Sequence, residues 1–303
     1  KRQDELLIST GTLDVDGSFD ASEDITFSGA GRLKLSGTVI DLGTMNHTMG
    51  TVEYDASGTQ NILADTYFNL EIDGSGVKSL PTSNVTINGD LTVSSGSLAY
   101  NSGSSSKFIT LKGSVLGTGT ITASTTSIFL ISGNGTNQDI RGISSDNIGI
   151  RLSGSANATT SGDITAKYLD LLSGSTGTFT IDGEIVTINP TGGYLEMDGG
   201  DLTVSGGSLI INSTSETKNE IDVGTLTVSG GLVQFTGNNS STSTGGDLNI
   251  DGGTLAVSSG SISINDELDV GTGTINQSGG AIYVDAGTNN NNGTGANKFD
   301  MDA

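Results

Sequence analysis

A chain of 303 residues with 34 acidic and 12 basic side chains carries a formal charge of −22, which sets it against phosphate backbones and so against nucleic acid as a partner. The absence of cysteine rules out disulfides, thiolate metal sites and cysteine nucleophiles. Its 47 glycines and 2 prolines show no period of three, so collagen is excluded, and the 33% of hydrophobic residues are Val, Ile and Leu set in alternation.

At the start, "KRQDELLIST" lacks the apolar core of a signal peptide, and no run approaches membrane-spanning length. The numbered chain therefore reads as a mature form or a fragment, with "DELLIST" as a cover for the first element. Residues 32–42, "RLKLSGTVIDL", show apolar residues two apart, a polar corner, and a second apolar pair. The single histidine, His47 in "TMNHTMG", reads as a surface or turn residue. Residues 83–100 repeat the beat through Val85/Ile87, Leu91/Val93 and Leu98/Tyr100.

From about 101 to 160 the phase is harder to follow. Here "NSGSSSK", "TASTTS" and "NGTNQD" read as turns or protruding loops. Arg141 and Arg151 near Asp139, Asp146 and Asp163 form the one loose grouping of basic and acidic residues. The plain reading is salt bridges on loops; the sharper one is a polysaccharide lyase or hydrolase, which needs carboxylates placed across a sugar. With no tryptophan, any sugar stacking falls to Tyr54, Tyr67, Tyr100, Tyr168, Tyr194 and Tyr283.

The beat then becomes regular. "DLTVSGGSLII" at 201 has near copies at 90, 225, 247 and 267, each with glycine in the third corner position: Gly96, Gly207, Gly231, Gly253 and Gly273. An apolar pair two apart marks one face of a strand, and the step of five between pairs demands a corner, where glycine supplies positive φ. The pairs recur mostly every seven residues, without the three–four spacing of a coiled coil. Three such sides close a coil of about 21 residues, in the range of stacked solenoids. Stacking by coil predicts Leu255 over Ile275 and Ile262 over Ile282.

The expectation is an all-β, single-chain parallel β-helix, right-handed by the crossover preference, with about 20–24 residues per three-sided coil. About 14 rungs at ~4.8 Å would give a rod of ~65 Å. A single solenoid is expected over 1–287, with a less regular, loop-bearing middle at about 101–160, and two stacked subdomains are the alternative. Residues 288–303, with "TNNNNGTGAN", read as a low-complexity loop and terminal segment. "DGG" at 198–200 and 251–253 reads as a corner turn, since the full calcium-repeat pattern is missing. Sequons occur at nine asparagines, among them Asn46, Asn84, Asn157 and Asn212.

Residues 50–98 carry "GTVEY", "QNIL", "YFNLEIDGSGVKSL" and "GDLTVSSGSL" in succession. This block resembles one found in large secreted surface proteins of Bacteroidota. The resemblance covers about 50 residues closely and the remainder in style. It implies an exported, cell-surface or extracellular adhesin-like repeat protein, and no catalytic residues.

The function expected is therefore non-catalytic and structural: a rigid spacer that acts as filament subunit or adhesin stalk. Its partner is itself, end to end, or a neighbouring segment of a longer surface protein. The alternative is an adhesin module gripping glycan or protein through loops of the middle third, and an enzyme on polysaccharide comes third. No catalytic, cofactor-binding or metal residue is assigned; the acidic surface serves solubility, and calcium is its second use.

Overall fold

A computed structural model describes residues 5–46, 48–100, 108–189, 193–213, 219–236, 246–284 and 299–301. His47, the stretch 101–107 and the Asn-rich stretch 288–297 lie outside the described residues. The chain is a β-solenoid: parallel strands stacked in about 12 coils, with no helix among the described residues. It divides into two compact units, Lys1–Leu130 with Gly142–Asn147, and Ile131–Arg141 with Ile148–Ala303.

In the first unit one sheet runs through Thr12–Val15, Arg32–Leu35, Thr51–Tyr54, Asn69–Ile72, Leu91–Val93 and Val115–Gly117, each paired in parallel with the next. Alternation decides which residues go inside. Leu33, Leu35, Leu70 and Ile72 are fully buried, while Arg32, Lys34 and Glu71 face out and form a cross-strand ion network with Glu53 and Asp55.

The block that carries the family resemblance places its signature residues in the interior. Leu63 N–H donates to the Tyr54 hydroxyl, Tyr54 to Tyr67 across 3.1 Å, and Tyr67 back to the Leu63 carbonyl, a closed ring of hydrogen bonds. Gln60 donates to the Leu35 and Gly37 carbonyls, and the Lys78 ammonium donates to the Ala56 carbonyl at 2.7 Å. Gln60 and Lys78 thereby satisfy the Gly37 and Ala56 carbonyls at corners, and Gln60 adds a second bond to the Leu35 carbonyl, which also accepts the Asp55 N–H.

In the second unit each coil has three sides, taken in chain order as first, second and third. The second side runs through Ser155–Thr160, Thr178–Ile181, Asp201–Val204, Thr225–Val228, Thr254–Val257 and Thr274–Gln277. Leu255 stands opposite Ile275 and Ile262 opposite Ile282, as the period predicts. Inner Leu202, Leu226 and Leu255 are all at 0% exposure, each contributing about 1.5–3 kcal/mol by leaving water. Coil length varies more than expected, from 18 residues between Thr51 and Asn69 to 31 between Leu268 and Phe299.

The structure differs from the sequence expectation at three places. The beat puts Ile40 inside; instead Val39 is buried and Ile40 is 58% exposed, because a register shift opposite Phe19 and Asp20 takes up one residue. "NGTNQD" lies in a strand, Asn134–Ile140, paired with Ser155–Thr160. A shift between Asn134 and Asn137 there breaks the alternation, which is why its sequence phase is lost. Finally, only Gly96 and Gly207 of the five corner glycines have positive φ (66° and 67°). At Gly253 and Gly273 the preceding coil excludes a side chain: a Cβ would stand 2.4 Å from Ile221 Cγ2 and 2.3 Å from Ile250 Cγ2. These two corners join the first side to the second, whereas Gly207 and Gly231 join the second to the third. The repeated phrase is thus a side-plus-corner unit that serves at more than one corner.

Candidate functional site

Outward residues on the first side of the second unit form a file fixed by register: Arg151, Asp170, Glu196, Glu220, Asn249 and Asp269. Parallel pairing sets successive members ~4.8 Å apart. Asp198, Asp222 and Asp251 follow the same strands at the adjoining corner.

The file has its cation at one end. Arg151 Nε lies 2.8 Å from Asp170 Oδ2, and the guanidinium sits 5.5 Å from the centroid of Tyr168. Tyr168 stacks on Tyr194 at 4.9 Å and 8°. Gly149 makes room for this stack, since a Cβ there would meet the Tyr168 ring at 1.9 Å. The cation–π contact is worth about 0.5–2 kcal/mol and the ring pair about 0.5–1.5 kcal/mol.

Beyond Arg151 the carboxylates repel one another. Burial raises Asp170, against the pull of Arg151. Burial also raises Glu196, helped by Asp170, Asp198 and Glu220, and it raises Asp222, helped by Asp198 and Asp251. The carboxylates run in single file along the sheet, and among the described residues no three acids or histidines converge to hold a metal ion.

Asp247, 7% exposed, opens the Leu248–Ile250 strand. Burial and then Asp266 push it up to about 7, Glu267 adds to the rise, and a bond from the Glu267 N–H opposes it. A carboxyl raised in the folded state binds its proton more tightly there than in the unfolded chain. Its stabilising contribution is therefore present in acid and is lost as pH rises from about 4 to about 7. Asp247→Asn is expected to be more stable than the parent at pH 8, by on the order of 1–2 kcal/mol. The two chains should converge below about pH 4; thermal melts across pH check this.

The residues grouped in the middle of the sequence are spread over several elements. Asp139 sits on a second-side strand, Arg151 on the first side, and Asp163 at the entry to the third. Asp146 belongs to the first unit. Asp163 Oδ1 accepts the Ile185 N–H at 2.8 Å, and the Arg141 side chain lies against Gly162. The ion pair of Arg151 with Asp170 joins two neighbouring strands.

Of the six tyrosines, Tyr54, Tyr67, Tyr100 and Tyr168 are buried, which leaves Tyr194 and Tyr283 to face solvent. The DGG segments at 198–200 and 251–253 are corner bends. Several Asn and Asp side chains serve as caps between coils. Asn157 accepts the Thr178 N–H, Asp201 the Thr225 N–H, Asp90 the Ser114 N–H, and Asn46 the Phe27 N–H. Part of the acidic and sequon content is therefore structural.

A scan against protein-family models and searches of the curated proteins and the solved structures found no match.

Proposed function

We propose that this chain is a non-catalytic structural segment of an extracellular surface protein, a stiff spacer that works as a filament subunit or an adhesin stalk. The observation that carries this reading is the ladder Thr180, Thr203, Thr227, Ala256 and Asn276, which keeps residue-for-residue register without a shift. Every rung is tied to the next by backbone bonds, so bending requires many of them to strain at once. The resemblance of residues 50–98 to Bacteroidota surface proteins supports export, and its signature residues are spent on holding corners together. The partner proposed is a second copy, end to end, or a neighbouring segment of the same surface protein.

Electron microscopy of the purified chain, with calcium and with chelator, tests the reading. Filaments with an axial repeat near one molecule's length are the result expected of a subunit. Isolated straight particles in both conditions overturn the filament form and leave the stalk. Flexible or irregular particles overturn both.

A further inference from the structure

On the second side of the second unit, the outward side chains come in pairs two residues apart: Thr178 and Thr180, Asp201 and Thr203, Thr225 and Thr227. The next two strands continue the columns with Thr254 and Ala256, then Thr274 and Asn276. Register places these pairs directly over one another, giving a grid that repeats at ~4.8 Å across strands and at ~6.6 Å along them. Threonine is stiff at χ1, so each position presents a hydroxyl and a methyl in a restricted orientation.

Two further observations separate this grid from an ordinary polar surface. Among the described residues, the hydroxyls of Thr180, Thr203, Thr225 and Thr227 have no hydrogen-bond partner in the protein, so they are open to whatever lies outside. The grid is also almost free of charge in a chain of −22. Its one carboxylate, Asp201, uses Oδ1 to accept the Thr225 N–H at 2.8 Å. The neighbouring first side, by contrast, carries Asp170, Glu196, Glu220 and Asp269 in its outward file.

We propose that this face binds an ordered water lattice, namely the surface of an ice crystal. A neutral, regular grid of hydroxyls and methyls holds water at fixed intervals, and the rung repeat is close to the oxygen repeat along a principal axis of hexagonal ice. A glycan is disfavoured as occupant because no aromatic ring stands outward in the grid to stack on a sugar face. This binding activity is additional to the structural role and does not depend on it.

The test measures ice-growth arrest and inhibition of ice recrystallisation by the purified chain. Thr203→Lys and Thr227→Lys are compared with Thr187→Lys, which lies outward on the third side. Thermal melts establish that all three variants fold. The parent and Thr187→Lys are expected to arrest growth, while Thr203→Lys and Thr227→Lys lose most of that activity. A parent no more active than an inert protein at equal concentration overturns the proposal. So does activity retained in both grid variants, or lost equally in Thr187→Lys.

Discussion

Leu226→Ala is expected to destabilise the chain by about 2–5 kcal/mol. Leu226 is at 0% exposure and stands between Leu202 and Leu255. Its loss removes contacts to the coils on both sides at once, so the penalty carries a cavity contribution as well as lost transfer energy. Thr227→Ala, one residue along the same strand, faces outward and should change stability by less than about 0.5 kcal/mol. Chemical denaturation of both variants separates them. Equal effects would mean that the inside–outside assignment of this strand is wrong.

Arg151→Ala should cost about 2–4 kcal/mol at pH 8, below the full penalty for breaking a buried pair because Arg151 itself is partly exposed. Asp170 remains behind with its side chain 4% exposed and no cation beside it. Burial already raises this carboxyl, and removal of Arg151 takes away the attraction that opposed the rise. The folded variant then holds its proton more tightly than the unfolded chain does, so stability declines as pH rises. The cost of the substitution should accordingly be smaller at pH 5 than at pH 8. Arg151→Lys keeps the charge but loses the planar contact with Tyr168, and should fall between. A pH-independent cost would show that Asp170 is not the group left stranded.

The fold was legible because its signal is local. Pairs such as Leu202/Val204 and Leu209/Ile211 announce strand, corner and strand within eleven residues, and the period of seven gives the stacking partner of Leu255. Legibility ended where one extra residue entered a strand. At Ile40 and at Asn134–Asn137 a register shift inverts the alternation, and no pattern of apolar residues announces it. The candidate site was hidden for a different reason. Arg151 meets Asp170 one coil later, at a separation that varies along this chain from 18 to 31 residues, so sequence proximity pointed to Asp139, Asp146 and Asp163 instead. The caps formed by Asn157 and Asp201 were hidden likewise, since each partner lies in the next coil. A search for Asx residues one coil before a strand start would have found them.

Successive coils are stacked in register, and the proposed role requires that they be held stiffly. The chain has no cysteine, so Thr159→Cys and Asn276→Cys can carry a pair of spin labels at defined places on one side of the second unit. The register Thr159, Thr180, Thr203, Thr227, Ala256, Asn276 separates them by five rungs, or about 24 Å between backbones. Pulsed dipolar spectroscopy should return a single narrow distribution near that distance. A broad distribution, or a mean displaced by several rungs, would contradict both the stack and the stiffness on which the proposed role depends.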